Sequence, residues 1–99
     1  MRPVPSRLVE AAVASTARYV GAHGAPLHIG DPAGIGVRDV DKPDFGEATA
    51  IHPGEVPVFW ACGVTSHAAL MSARLPIAIT HAPGHMFVTV MRDEQLAWT

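Results

Sequence analysis

The sequence predicts an α/β fold, a mixed sheet with flanking helices, and three observations predict it. Apolar residues recur at helical spacing over residues 7–19, a run rich in Val, Phe and Trp fills residues 55–62, and a second helical stretch follows that run before two further apolar segments. Short strands interleaved with helices are the mark of a layered α/β architecture.

Leu8, Val9, Ala12, Val13, Thr16, Ala17 and Val20 share one face of the first helix, with Ser6 as its expected N-cap and Gly21 as its expected C-terminal cap. From Gly21 to Gly54 the chain holds seven glycines and four prolines. That content leaves room only for short strands, at residues 27–29 and 36–40, with turns at residues 43–46 and 52–54. The strand over residues 55–62 carries Pro57 near its start, where proline is tolerated, and Gly63 breaks it. Thr65 is the expected cap of a helix that reaches Arg74 and is closed by Pro76. Residues 77–80 read as a second strand, Ala82-Pro83-Gly84-His85 as a type II turn, and residues 86–91 as a third strand.

The chain has 99 residues, enough for one domain at most, and it is rich in apolar residues (48%) and poor in charged ones (16%). Some apolar surface is therefore expected to face a partner: a second copy in a homo-oligomer, or an absent N-terminal portion. A net charge of −2 with scattered Lys and Arg gives no footprint for nucleic acid. The single cysteine excludes a disulfide framework and a CxxC motif, and a reducing, cytoplasmic setting is expected. MRPVPSRLVE lacks the apolar segment of a signal peptide, and no apolar run approaches the ~20 residues that span a bilayer, so no membrane partner is expected.

Chemistry concentrates between Val56 and His85, where the cysteine and three of the six histidines fall. Cys62 precedes a helix start, where outward N–H groups favour negative charge and lower a thiol pKa, although free cysteine also serves as a small buried hydrophobe. His81 and His85 have the i, i+4 spacing of a zinc pair, but Pro83 and Gly84 preclude a helix, so proton transfer or substrate orientation is the better reading and no metal is expected. His23, His28 and Asp31 sit in a Gly/Pro frame that suits either a ligand loop or a plain turn. Gly34-Ile35-Gly36 lacks the third glycine of a dinucleotide fingerprint. Asp39, Asp41, Asp44 and Glu47 read as a solvated, turn-forming stretch.

Four blocks, HGAPLHIGDP, KPDFGEA, VPVFWACGVTSHAA and ITHAPGHMFVT, resemble in order the signature blocks of the bacterial hydro-lyase family that includes the mitochondrial D-glutamate cyclases. The resemblance runs from Met1 to about Thr89. It implies a partial α/β domain, the C-terminal portion of a longer family protein, that acts on a small amino-acid-like carboxylate; no cofactor is expected. In the cyclase branch the reaction turns D-glutamate into 5-oxo-D-proline with loss of water. Two departures stand out. Ser66-His67 replaces the family's usual Pro-Gln after GVT, and Met1-Arg2-Pro3 opens the chain where the family has a Ser-Met-Arg-Pro stretch well inside.

Cyclisation needs a base for the amine, donors for the developing oxyanion and an acid for the departing hydroxyl. His81 or His85 is the expected proton-transfer residue, with Cys62 as a further catalytic candidate. The Gly63 and Val64 amides with Thr65 would bind carboxylate or oxyanion, and His28 and Asp31 would orient the substrate. Two alternatives are a non-catalytic module that depends on assembly and a small-carboxylate binder without turnover.

Overall fold

The computed structural model describes residues 1–98. Three strands form one antiparallel sheet: β1 (Arg2–Pro5), β2 (His28–Ile29) and β3 (Glu55–Phe59), in the order β1-β3-β2. Two helices accompany it, α1 (Val9–Ala17) and α2 (Gly63–Ala73), with 3-10 turns at Ser6–Leu8, Pro32–Ile35 and Asp93–Leu96. The α/β expectation holds, with antiparallel pairing where a mixed sheet was expected.

β3 takes the centre because Val56, Val58 and Phe59 suit a surface covered on both sides. Its register pairs Pro3 with Pro57 and Val4 with Val56. The Pro57 and Phe59 carbonyls accept from Gly30 and Leu27 at 2.9 and 2.7 Å, so the odd-numbered residues of β3 face β2 and the even-numbered ones face β1. Pro3 and Pro5 therefore turn their missing donors to the free edge, where the ladder loses nothing. Those prolines hid β1 from the sequence reading.

Val58, fully buried, is the core of the described residues. Around it the N-terminal part is tied by directed bonds. Trp60 Nε1–H donates to Thr16 Oγ1 at 3.2 Å, Ser6 N–H to the Gly54 carbonyl at 2.9 Å, and Trp98 N–H to the Arg18 carbonyl at 2.9 Å. Ser6 spends its backbone there and does not cap α1, whose N-cap is Leu8 after a 3-10 turn. The helix also stops at Ala17, ahead of Gly21, and the Tyr19 carbonyl accepts from Ala22 and Gly24 in the turn that follows.

Three expected strands are corrected. Residues 36–40 form turns, since Gly36 caps the preceding 3-10 helix with φ 80° and the Asp39 carboxylate accepts from the Asp41 N–H at 3.0 Å. Residues 77–80 and 86–91 have no strand partner among the described residues, and apolar alternation without a neighbouring ladder makes no strand. Their side chains stand in the open, Ile79 at 93% and Val90 at 102% relative exposure. The expected turn between them is present: the His85 N–H donates to the Ala82 carbonyl at 3.0 Å, and Gly84, with φ 78°, fills the position that needs glycine.

Candidate functional site

The chain leaves β3 at Phe59 and reaches Cys62 in an extended conformation, and Cys62, in place of the expected Thr65, is the N-cap of α2. Thr65 completes a capping box. Its Oγ1 accepts from the Cys62 N–H at 3.2 Å while its own amide turns to the Cys62 side chain. Burial pushes the exposed thiol up, but hydrogen bonds from the Thr65 and Val64 amides and the Thr65 hydroxyl, helped by the N-terminal ammonium, outweigh it and hold Cys62 below its ordinary value. The negative charge this helix start stabilises is the one Cys62 acquires when its thiol gives up a proton. Two of the groups expected to bind substrate, the Val64 and Thr65 amides, thus serve Cys62, and Gly63 keeps its amide uncommitted to the thiol.

Against Gly63 lies the imidazole of His81, with its Nε2 edge turned toward the glycine. His81 Nδ1 is 2.9 Å from the Ala82 carbonyl oxygen, which only accepts, so Nδ1 carries the proton and Nε2 is the bare, basic nitrogen in the neutral ring. The start of α2 thus holds the thiol and the Gly63 amide, with the His81 imidazole packed against Gly63. His85 is set apart from it: the ring is exposed and its Nδ1–H donates to the Pro83 carbonyl at 3.2 Å within its own turn.

His28 and Asp31 form a second group. His28 pairs with Phe59 across the sheet, their rings 5.9 Å apart, and its Nε2–H donates to the Asp31 carbonyl at 2.7 Å. Asp31 Oδ1 accepts from the Ala33 N–H at 2.9 Å and caps the Pro32–Ile35 turn. His28 is oriented firmly, and Asp31 spends one carboxylate oxygen on structure. His23 is likewise bound by its Nδ1 to the Ala61 carbonyl, just ahead of Cys62. His67 holds Thr80 Oγ1 at 3.1 Å and so ties α2 to the segment that leads to His81.

Cys62 and Val64 line a cleft of about 940 Å³ together with Phe59 and the loop from Gly36 to Thr49. That loop supplies both signs of charge: Arg38 and Lys42, and Asp39, Asp44 and Glu47. Lys42 leans on Asp39 at 3.6 Å, whereas Arg38 has no ion pair among the described residues. The acidic stretch, expected as a solvated turn, lines the cleft together with these cations. A signal existed, because Arg38 and Lys42 are the sole cations between Arg18 and Arg74. None of His28, Asp31, His81 and His85 lines the cleft among the described residues, so His81 meets it only through the Gly63 turn. Among the described residues no three His, Cys, Asp or Glu side chains gather as metal ligands, and no helix is long and apolar enough to cross a membrane.

Residues 1–90 match the family model described as D-glutamate cyclase. The chain is 60% identical over 95 residues to a protein of Saccharopolyspora erythraea named "Putative hydro-lyase", covering 96% of this chain and 37% of that relative. It is 58% identical over 97 residues to "Putative hydro-lyase YcsI" of Bacillus subtilis, covering 98% of this chain and 38% of that relative. The chain thus spans little more than a third of the length of these curated relatives.

Proposed function

From the premise that the chain belongs to the D-glutamate cyclase family, we propose that it carries the acid–base groups of a hydro-lyase site for a small amino acid, with D-glutamate cyclised to 5-oxo-D-proline as the reaction. The observation that carries this reading is the His81 imidazole set against Gly63, the residue after Cys62 at the start of α2, beside a cleft whose loop holds both cations and carboxylates. A zwitterion asks for that mixture. Arg38 is placed to pair with a carboxylate, and Asp44 and Glu47 with an ammonium.

Cyclisation forms one C–N bond and breaks one C–O bond, while two protons leave the nitrogen and two reach the departing oxygen. His81 Nε2 takes a proton from the ammonium and so frees the attacking lone pair. The Cys62 thiol gives its proton to the departing hydroxyl, and the Val64 and Thr65 amides hold the thiolate that remains. Protonated His81 then returns its proton to the thiolate through solvent, and the second proton passes by way of solvent from the nitrogen to the departing oxygen, which leaves as water. The Gly63 amide is left for the carbonyl oxygen as it gains charge. His28 and Asp31 stand outside the cleft and support its wall through Phe59, and His85 is the reserve proton carrier. Because the attack is intramolecular, positioning supplies much of the acceleration.

The test is incubation of the chain with D-glutamate, L-glutamate and related acids, with mass detection of a product lighter by one water. Product from D-glutamate, lost in His81→Ala and Cys62→Ser, supports the reading. Product that survives both substitutions overturns the residue roles, and absence of product from every acid overturns catalysis by this chain alone.

The exposed apolar side chains of residues 77–90 favour a second reading, a module that becomes competent only when that surface is covered. Sedimentation distinguishes the two: a stable monomer that turns substrate over removes the second, and turnover confined to an oligomer supports it.

A further inference from the structure

Six of the nine glycines, Gly24, Gly30, Gly36, Gly46, Gly54 and Gly84, have a positive φ, and that alone accounts for them. Gly21, Gly34 and Gly63 do not, so another reason must exclude a side chain there. For Gly21 it is the Leu96 carbonyl oxygen, 3.1 Å from where a Cβ would stand. For the other two it is a histidine ring. A Cβ on Gly34 would stand 2.8 Å from His28 Cε1 and 3.1 Å from Nε2. A Cβ on Gly63 would overlap His81 Nε2 and stand 2.5 Å from Cε1. Distances below 3.0 Å demand that something move, and at Gly34 and Gly63 it is the end of a flexible side chain that yields, so a Cβ there displaces the ring at little cost to the backbone.

We infer that Gly63 and Gly34 are positioning residues, whose missing side chains seat the imidazoles of His81 and His28. Each ring is held at two points. One ring nitrogen donates to a nearby backbone carbonyl, that of Ala82 one residue on for His81 and that of Asp31 three residues on for His28, and the glycine receives the ring's face or edge. The carbonyl sets which nitrogen is protonated, and the glycine sets where the ring lies. At Gly63 the two constraints act together: they bring the bare Nε2 to the first turn of α2, next to Cys62. Gly34, which has no use as part of a dinucleotide fingerprint, gains a reason of its own. The value of the His81 seat for catalysis rests on the function proposed above, whereas its existence does not.

Helix preference makes the test sharp, because glycine at a helix start with ordinary φ is replaced by alanine at no intrinsic cost. The seat requires the opposite at Gly63. Gly63→Ala, His81→Ala and the double variant form a cycle read by thermal denaturation, alongside nitrogen–proton correlation spectra of the histidine rings. The expected result is that Gly63→Ala lowers Tm by no more than about 4 °C when His81 is present and leaves it unchanged or raised when His81 is alanine. In the same variant the ring signals of His81 shift and those of His28 stay in place, and Gly34→Ala produces the reverse. Additive Tm changes, or His81 ring signals untouched by Gly63→Ala, overturn the inference. Should Gly63→Ala fail to fold, recovery of the fold in the double variant supports the seat, and failure of both variants overturns it. These readouts need no substrate. A seat confirmed by the cycle, together with full turnover in His81→Ala, would therefore retain the positioning and discard the proton-transfer role.

Discussion

Val58 and Val90 are the same residue in two apolar, strand-like stretches, and one is fully buried while the other is at 102% relative exposure. The difference is the neighbour. Val58 lies in a strand flanked by β1 and β2 and near the Trp60–Thr16 hydrogen bond, whereas residues 86–91 meet no strand among the described residues. Strand character measures the fit of a side chain to a paired, half-buried surface, and the chain supplies that surface at one end only. The candidate site stands at the junction of the two regions: Cys62 and Gly63 belong to the anchored part, and His81 arrives from the open one.

The largest expected effect sets these two valines against each other. Val58→Asp would bury an unpaired carboxylate and cost at least about 3–5 kcal/mol, while Val90→Asp would stay within about 0.5 kcal/mol, both read by denaturant unfolding. Equal losses would erase the contrast. Next comes the junction itself, where His81→Ala is expected to lower product formation about a hundredfold, close to 2.7 kcal/mol of transition-state stabilisation, and His85→Ala by less than about tenfold. A smaller effect sharpens the anchored side: Trp60→Phe removes the donor to Thr16 and is expected to cost about 1 kcal/mol in thermal unfolding.

The smallest effect concerns Cys62. Its alkylation rate should rise with pH at a midpoint below that of an ordinary thiol, and Thr65→Val should move the midpoint up by removing the hydroxyl bond. Linkage follows from the direction of the shift. A folded pKa below the unfolded one gives stability that is present above the unfolded value and is lost as pH falls through the folded value. A Cys62→Ser chain should therefore lose that rise in stability on the alkaline side.

Elements governed by local chemistry were legible in the sequence. α2, the start of β3, β2 within residues 27–29 and the Ala82–His85 turn follow from proline, glycine and apolar spacing. What depended on a distant partner was not. Pro3 and Pro5 argue against a strand until it is known that their missing donors face outward, and residues 77–80 and 86–91 argue for strands until it is known that nothing pairs with them. At the site, the helix start and the histidine turn were legible, and so was the gathering of chemistry between Val56 and His85. The return of the Gly36–Thr49 loop over Cys62 was not, nor the contact of His81 with Gly63, since both join residues far apart in the chain. Cys62 as N-cap was missed because a thiol is a poor substitute for the hydroxyl that Thr65 offers three residues later.

The outward prolines of β1 bear on how the chain can polymerise. With so much apolar surface in the open, sheet-to-sheet stacking into fibrils is the natural hazard, and it proceeds by adding strands to a free edge. A strand laid along β1 would find no donor at Pro3 or Pro5, so growth from that side is starved of hydrogen bonds at each alternate residue. The opposite edge is β2, only two residues long. Template-driven fibre growth is thus blunted at both sides of the sheet, and clumping of this chain, where it occurs, should begin from residues 77–90 instead.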